Sequence, residues 1–331
     1  MNRKNKLYTK KITITLSLIF ILIIIATISV LANYMNKINK VNIDTDKIIP
    51  KEVTIKTPND DNDVPENRVI NKYIKNIAIL GIDSDTDNIG RSDCILIATL
   101  DTEHNKIKLS SIIRDSYVTI PTRPEKDKIN HAYAFGGPEL TLQTLNNNFA
   151  LDITQFVSVN LSSFPKVIDS IDGISLDITD DELSYINTYI QSLNESNGTN
   201  SPPITESGIQ NVDGTQALAY ARIRYTDGGD FERSHRQRIV IEQLFKKFQD
   251  IPVIKYPNVL DALLPLINTN ISGSEILSLC FDLSSLKNYK IIEERFPKDE
   301  DAEGRSINGI YYYVFDEDIT KQKIHEFIYG N

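Results

Sequence analysis

The chain has 331 residues, of which 40% are apolar and 24% charged, enough for one large globular domain with flanking segments. The formal net charge of −9 excludes a general nucleic-acid-binding protein, because such proteins carry broad basic surfaces. The two cysteines, Cys94 and Cys280, are too few for a disulfide framework and lack metal-type spacing, although their pairing is left open.

The N-terminal segment predicts a membrane anchor. Residues 12–32 carry no charge and are long enough to cross a bilayer as a helix. Residues 1–11 are basic without an acid, so the positive-inside rule places this tail in the cytoplasm and the remainder outside. A cleaved signal peptide ending near Ala32 is the alternative, but the long apolar core favours an uncleaved signal-anchor. Residues 33–72 are polar and predict an extracytoplasmic linker.

The domain is predicted to span residues 73–331, with a motif core at 73–248 completed by 249–331. It opens with short apolar runs typical of buried strands, at 76–81, 94–100 and 107–113. The link between the second and third runs is short and polar, which predicts a hairpin.

Helices alternate with strands in the rest of the domain. The residue patterns predict helices at 138–149, 162–171, 214–220, 231–248, 259–267, 274–286 and 319–328, strands at 155–159, 173–178, 291–296 and 311–315, and a loop at 194–203. This order predicts an α/β fold with a three-layer α-β-α arrangement around a central mixed sheet, preceded by one N-terminal transmembrane helix.

Aspartates cluster in the loop after the first strand. Asp83 and Asp93 each stand where this loop joins a strand, so the sheet is expected to hold both carboxylates in place. Two fixed carboxylates with open coordination positions suit Mg²⁺, which takes further ligands from water and phosphate. A polar turn whose aspartates cap backbone groups is the alternative.

Two known aspartate motifs are weaker matches to this loop. An EF-hand is excluded because Asn88 stands where that loop needs glycine and Cys94 where it needs a bidentate glutamate. The sequence Asp83-Ser84-Asp85 also resembles the metal-binding motif of some glycosyltransferases, but such an enzyme needs a sugar nucleotide, which is not expected outside the cell.

The third strand ends in Arg114 and Asp115. If the second and third strands form a hairpin, Arg91, Asp93 and Arg114 converge at one edge of the sheet. A surface ion pair of little energetic value is the alternative interpretation.

Residues 222–238 hold five arginines and no lysine. Arginine is needed where carboxylate or phosphate oxygens are bound two at a time, and helix starts favour anions. The segment therefore indicates a site for a multiply charged anion, with an ordinary basic helix face as the alternative.

The geometry of a helix assigns a direction to each arginine. Arg233 and Gln237 continue into an apolar stripe and are expected to face inward. Arg238 aligns with a solvated row of charges, which predicts a structural role, and Arg236 is intermediate. Arg222 and Arg224 can face one site if the preceding helix ends near Ala221 and the chain then extends.

Taken together, these motifs are similar to those of the LytR-CpsA-Psr family. The resemblance covers residues 73–248 and rests on segments in matching order and spacing: 80–83, 91–93, 111–115, 128–137, 172–174, 213–224 and 229–238. Two departures are Ile113, where the family usually has proline, and Glu232, where it often has glycine.

The resemblance implies a membrane-anchored transferase of the Gram-positive envelope, with its catalytic domain outside the cell. Members move an anionic or secondary cell-wall glycopolymer, such as teichoic acid or capsule, from a polyprenyl-pyrophosphate carrier to a peptidoglycan hydroxyl. It also implies residue roles: Mg²⁺ ligands Asp83 and Asp93, and pyrophosphate-binding residues Arg91, Arg114, Arg222, Arg224, Arg233 and Gln237.

The predicted reaction is attack of an acceptor hydroxyl on the glycan-bearing phosphorus, with polyprenyl phosphate as leaving group. Arg114, Arg233 and the aspartates would be catalytic, and either Asp83 or Asp115 would accept the hydroxyl proton. A non-catalytic regulator that binds lipid-linked glycan and a hydrolase of the lipid pyrophosphate are the rival functions.

Overall fold

The computed structural model of the protein describes residues 37–49, 73–84, 90–224, 229–276, 278–279 and 289–330. The predicted cytoplasmic tail and membrane segment (1–32), Cys280, and most of the predicted helix at 274–286 lie outside these residues. None of the helices in the described ranges is both long and apolar enough to span a membrane.

The strands of the described residues follow the chain from β1 to β13. They are β1 (Asn39–Lys40), β2 (Ile74–Ile82), β3 (Ser92–Asp101), β4 (Lys106–Ile112), β5 (Tyr117–Val118), β6 (Asp127–Lys128), β7 (Gln155–Asn160), β8 (Ile174–Ile178), β9 (Gly208–Val212), β10 (Asn268–Thr269), β11 (Lys290–Phe296), β12 (Ala302–Ile307) and β13 (Ile310–Phe315).

Helices connect and cover these strands. They are α1 (Thr45–Ile48), α2 (His131–Phe149), α3 (Phe164–Asp169), α4 (Asp180–Asn197), α5 (Gly214–Arg222), α6 (Gly229–Asp250), α7 (Tyr256–Leu263) and α8 (Glu317–Tyr329), with a further helical stretch at 273–276.

The central sheet is mixed, as predicted. Its strands lie in the order β1-β10-β7-β2-β3-β4-β11. The strands β2, β3 and β4 pair antiparallel, whereas β7 runs parallel to β2 and β11 parallel to β4. The predicted hairpin of the second and third runs is confirmed, and its turn is closed by Asn105 at φ 53°, a conformation that asparagine tolerates better than most residues.

Helices pack on both faces of this sheet. On one face, Ile97 of β3 lies in a core with Phe149 of α2 and Ile324 of α8. On the other face, Leu96 of β3 packs with Ile241 of α6. Successive strand residues point to opposite faces, so the continuous apolar run in β3 supplies both cores.

Two predicted strands form outside the central sheet. β8 pairs with β9, and β13 pairs with β12, each as a separate two-stranded ribbon. Helix α4 was not predicted, and it shortens the predicted loop at 194–203, which begins only at Gly198 with φ 65°. The missed signal is the capping box of Thr179 and Glu182, which satisfies the first amides of α4.

The predicted linker at 33–72 is wrong for residues 37–49, which pack onto the domain. β1 pairs with β10, and Ile48 of α1 is fully buried. The side-chain amide of Asn146 donates to the Ile48 carbonyl at 2.8 Å. A two-residue strand and a single buried isoleucine leave no periodic pattern, so the polar composition concealed this attachment.

Candidate functional site

A cavity of about 370 Å³ opens beside the central sheet where β2 ends and β3 begins. Its charged and amide-bearing lining consists of Asp83, Asp93, Asn160, Arg222, Arg224, Arg233 and Gln237. Its apolar lining includes Ile79, Val159, Leu161, Phe164, Leu218, Ala221, Val240 and Ile241.

Along three of the lining elements, the charged residues lie at one end and the apolar residues at the other. Along β2 the lining passes from Asp83 back to Ile79, and along α5 it passes from Arg222 back to Leu218. Along α6 it passes from Arg233 to Ile241, which spans roughly 12 Å at the helical rise. Each element therefore leads from a charged mouth into an apolar interior.

A β-bulge brings Asp83 and Asp93 to the mouth. The pairing of β2 with β3 slips by one residue at Asp93, and bulges of this kind re-aim side chains next to active sites. The backbone amides of Asp83 and Asp93 both donate to the Arg91 carbonyl, at 2.9 and 3.1 Å. The Asp83 side chain is exposed, and Asp93 is half-buried.

Arg114 binds Asp93 directly. The Arg114 Nη1 atom donates to Asp93 Oδ2 at 2.5 Å, and both side chains are 20% exposed, so the surface-pair alternative does not describe this contact. The Asn130 side-chain amide donates to the other Asp93 oxygen at 2.9 Å. The predicted convergence of Asp93 and Arg114 is confirmed, whereas the Arg91 side chain is exposed and is not among the described residues that line the cavity.

Asp115 contacts Arg114 from outside the described cavity lining. Its carboxylate is 2.6 Å from Lys128 Nζ and 3.5 Å from Arg114 Nε. Asp115 is 9% exposed and does not belong to the described cavity lining. The geometry therefore suits Asp115 to holding Arg114 against Asp93.

Arg222 and Arg224 reach the cavity from the end of α5. This helix starts with a capping box formed by Asp213 and Gln216, so its start is strongly specified. It ends at Arg222, and Ile223 turns to φ −56° and ψ 129°. Both arginines are exposed and line the cavity, in agreement with the predicted helix end near Ala221.

Helix α6 presents Arg233 and Gln237 to the same cavity. They are one turn apart, Arg233 is only 4% exposed, and Val240 and Ile241 continue the lining on the next turn. The predicted inward direction of both side chains is confirmed. The side chain of Asp230 lies outside the described residues.

The neighbouring Arg236 and Arg238 have structural contacts. Arg236 is 3% exposed, and its Nε donates to Glu182 Oε1 at 2.7 Å while its Nη1 donates to the Ile223 carbonyl at 3.3 Å. These bonds fix α6 against α4 and against the backbone between Arg222 and Arg224.

The prediction that Arg238 belongs to a solvated row is wrong, although its structural role stands. Its side chain is 12% exposed and its Nε lies 3.4 Å from Glu293 on β11, which no helical periodicity could reveal. Burial lowers the pKa of its guanidinium, and Glu293 opposes that shift.

Cys94 lines the cavity as a free thiol. Burial, followed by the charge of Asp93, raises its pKa to about 11, and the charges of Arg233 and Arg238 oppose the shift. Because the thiolate is the reactive form, Cys94 is expected to be inert at neutral pH.

The carboxylates fit Mg²⁺ as ligands. The described residues hold no group of three or more histidine, cysteine, aspartate or glutamate side chains suited to a metal ion. Asp83 and Asp93 nevertheless provide hard oxygen ligands at the mouth, and the Asp93 oxygens bonded to Arg114 and Asn130 retain further lone pairs. Mg²⁺ usually takes one or two protein carboxylates and completes its shell with water and phosphate, and Asp83 and Asp93 offer two.

Comparison with known proteins identifies the relatives of the chain. The LytR_cpsA_psr family model matches residues 30–327. The chain belongs to this family. The match extends the predicted resemblance, which covered residues 73–248, to nearly the whole chain.

Family relatives include proteins named polyisoprenyl-teichoic acid–peptidoglycan teichoic acid transferase TagU. The chain is 34% identical over 246 residues to TagU of Halalkalibacterium halodurans, covering 73% of this chain and 74% of that protein. It is 33% identical over 253 residues to TagU of Bacillus subtilis, covering 74% of this chain and 76% of the relative.

Solved structures of the family share the fold. A structure described as TagT bound to LIIa-WTA aligns with a TM-score of 0.63 at 23% identity, over 84% of this chain and 97% of TagT. B. subtilis TagV aligns with a TM-score of 0.62 at 27% identity, over 78% and 99%. YwtF (TagT) with bound octaprenyl pyrophosphate lipid aligns with a TM-score of 0.58 at 22% identity, over 84% and 96%.

Two residues within a family motif were missed as individual site residues. Asn130 binds Asp93, and Lys128 binds Asp115. Both lie in the matched segment 128–137. The motif match points to this segment, but it does not show which carboxylate each residue contacts.

Proposed function

We propose that the protein transfers an anionic or secondary cell-wall glycopolymer from a polyprenyl-pyrophosphate carrier to peptidoglycan, leaving a phosphodiester linkage. The observation that carries this proposal is the cavity whose arginine- and aspartate-lined mouth leads into an apolar interior. A polyprenyl pyrophosphate has the same division, with a charged head and an apolar tail. The names of the TagU relatives describe this class of reaction.

The arginines bind the pyrophosphate at the mouth. Arg222 and Arg224 present exposed guanidinium groups, and Arg233 presents one that is almost completely buried. Guanidinium forks match phosphate oxygens, and a desolvated one stabilises phosphoryl charge more strongly than one in water. Gln237 adds an uncharged amide donor on the next turn of α6.

The transfer forms one bond to phosphorus and breaks another. The acceptor hydroxyl oxygen attacks the phosphorus that carries the glycan, and the bond to the bridging oxygen breaks, so polyprenyl phosphate leaves with the electron pair. Arg114 lies outside the described lining and is held by Asp93 and Asp115, so its guanidinium contributes positive charge next to the mouth, beside Asp93. The energy comes from the pyrophosphate bond, so the reaction needs no ATP.

Asp83 is the better placed of the two candidate proton acceptors. It lines the cavity and is exposed, whereas Asp115 is bound to Lys128 and lies outside the described lining. We therefore assign the hydroxyl proton to Asp83 and a positioning role to Asp115.

Asp93 and the Asp83 oxygen that does not take the proton would also hold Mg²⁺. When bound there, the ion supplies positive charge against the phosphoryl oxygens. The proposed location is the cell membrane, with residues 12–32 as a single-pass anchor and the domain outside the cell, supported by the basic residues that precede this segment.

The test is transfer of a synthetic polyprenyl-pyrophosphate-linked glycan to soluble peptidoglycan oligosaccharides by the full chain in detergent micelles. Arg222→Ala and Arg224→Ala change exposed lining residues and leave the core intact, so both should remain folded. Each is expected to lose about tenfold or more in transfer rate, since one charged hydrogen bond contributes on the order of 1.5–3 kcal/mol. Lys255→Ala, an exposed cation outside the described lining, is the matched control.

The rival functions give different results. Tight binding of the lipid-linked glycan without any product would indicate a regulator. Release of glycan phosphate at the same rate with and without acceptor would indicate a hydrolase, and either result would contradict the proposal.

A further inference from the structure

Tyr311 on β13 presents a fixed aromatic ring to solvent. Its side chain is 51% exposed, and its ring rests on Gly304 of the partner strand β12. A Cβ atom at Gly304 would lie 2.7 Å from the Tyr311 Cε2 atom, so glycine is what allows the ring to lie against the strand backbone. One side of the ring is thus occupied by the hairpin, which holds the ring in a defined orientation.

A continuous chain of contacts joins this ring to the proposed catalytic mouth. Lys128 Nζ lies 5.9 Å from the ring centroids of both Tyr311 and Tyr312, and it also binds Asp115 at 2.6 Å. The Tyr313 amide donates to the Asp115 carbonyl at 2.9 Å. The hairpin is therefore attached to the residue that holds Arg114.

One further aromatic ring packs on these residues, and another lies on helix α2. The Tyr312 ring packs at 4.7 Å from the Tyr117 ring, centroid to centroid. On α2, Phe135 is 44% exposed, with the Arg123 guanidinium 4.6 Å from its ring centroid. Exposed aromatic side chains next to cationic groups are typical of recognition surfaces.

Three charged residues connect this surface to Asp93 at the cavity mouth. The described lining of the cavity includes Asp93 but not Arg114, Asp115 or Lys128, which follow in succession beyond it. In phosphoryl transfer the attacking and leaving oxygens lie roughly in line across the phosphorus. The polyprenyl leaving group lies in the apolar interior, so the acceptor approaches the phosphorus from the open side of the mouth, where Asp83 is exposed.

We propose that Tyr311, with Lys128 beside it, forms a sugar-stacking surface for the glycan strand of the peptidoglycan acceptor. This inference rests on the proposed function and adds where its acceptor binds. The apolar C–H face of a pyranose packs on an aromatic face, whose negative quadrupole attracts the C–H hydrogens. The Lys128 ammonium offers donors to sugar hydroxyls or to peptide carboxylates.

Two measurements on the full chain in detergent micelles test this surface. The first is the affinity of short peptidoglycan oligosaccharides without donor, by titration calorimetry. The second is the acceptor KM and the donor KM for transfer. Tyr311→Ala is expected to weaken oligosaccharide binding and raise the acceptor KM about five- to tenfold, with the donor KM unchanged.

Three further variants separate stacking from other effects. Tyr311→Phe keeps the ring and should bind like the wild type. Gly304→Ala displaces the ring without removing it and should weaken acceptor binding in the same direction as Tyr311→Ala. Tyr73→Ala removes another exposed tyrosine, at the opposite end of β2 from Asp83, and should change nothing.

The outcomes distinguish this surface from the proposed function. If the wild type transfers glycan and Tyr311→Ala has an unchanged acceptor KM, the proposed acceptor surface is wrong and the proposed function stands. A raised donor KM instead of a raised acceptor KM also overturns it, since the ring would then hold the donor glycan. Oligosaccharide binding that depends on Tyr311 without any transfer supports the surface and contradicts the function. No binding and no transfer by the wild type overturns both.

Discussion

The two ends of strands β3 and β4 carry charged pairs in opposite settings. At the cavity end, Asp93 and Arg114 are each 20% exposed and stand beside three further arginines. At the opposite, closed end of the strands, Asp101 and Lys108 are each 1% exposed and 3.0 Å apart. Because the same two strands supply both pairs, the exposure of each pair depends on the elements that pack around it.

At the closed end, the buried charges of Asp101 and Lys108 are matched by each other and by further partners. Lys108 Nζ also donates to the carbonyls of Ile328 and Gly330, at 2.9 and 2.8 Å, and so holds the end of α8. The His104 amide donates to Asp101 Oδ1 at 3.0 Å. At the cavity end, which is the open end, the arginines that line the cavity outnumber its aspartates. An excess of fixed cations around a cavity is suited to an anionic ligand, whereas a fully matched buried pair is suited to holding the fold together.

The largest expected effect lies at the closed end. Lys108→Met leaves Asp101 buried without its ammonium partner, and breaking a buried pair costs about 3–5 kcal/mol. We expect the free energy of unfolding in urea to fall by that amount. Lys290→Met, an exposed lysine on the neighbouring strand β11, should change it little. Equal effects of the two variants would remove the distinction between the ends.

Next in size is Arg233→Ala at the open end. We expect transfer to fall about a hundredfold or more, because a preorganised donor to phosphoryl charge is lost, while the chain stays folded. Arg236→Ala, one turn away in space on the same helix, should instead lower stability, because Glu182 loses its buried partner. Transfer rates and urea unfolding of both variants measure this contrast. Full activity of folded Arg233→Ala would contradict the assignment.

The reactivity of Cys94 gives a third test of the open end. With a pKa raised to about 11 by burial and by Asp93, its alkylation by iodoacetamide at pH 8 should be roughly a hundredfold slower than that of an ordinary thiol. The measurement uses a Cys280→Ser chain, so that one thiol reacts. Fast alkylation at pH 8 would mean that Cys94 is more solvated than the cavity geometry implies.

The smallest effect is the dependence of stability on pH at the closed end. Burial alone would raise the pKa of Asp101, but hydrogen bonds from the His104 amide, Lys108 and the His104 ring lower it. A lowered folded-state pKa means that Asp101 stabilises the fold above its unfolded pKa of about 4, and that this contribution is lost as pH falls through the folded value. The stability difference between the wild type and Asp101→Asn should therefore narrow on acidification. A stability difference that stays constant with pH would contradict this explanation.

Much of the open end could be predicted from local patterns. Apolar runs that end in Asp83, Asp93 and Arg114 predicted strand ends, and an antiparallel pairing brings such ends together. Helical spacing predicted the inward direction of Arg233 and Gln237. These predictions succeeded because each depends on periodicity within one element and on short connections.

Apart from the local capping signal of α4, the failures involve contacts between distant parts of the chain. Glu293 on β11 takes Arg238 out of the solvated row that helical spacing predicts. Ile48 is buried although the polar composition of its segment predicts a linker. Lys108 and Asp101 form a buried pair within the predicted hairpin, which local patterns could not reveal because the covering helix α8 lies more than two hundred residues later.

The sequence by itself determined the family, five of the seven central strands and the residue types of the anion-binding mouth, since these follow from local periodicity and from motifs in order. Only the tertiary structure decided which charges remain available to a ligand. An arginine is committed to the fold or available for binding according to whether a distant carboxylate reaches it, as Glu182 reaches Arg236, and the chain order does not reveal that distance.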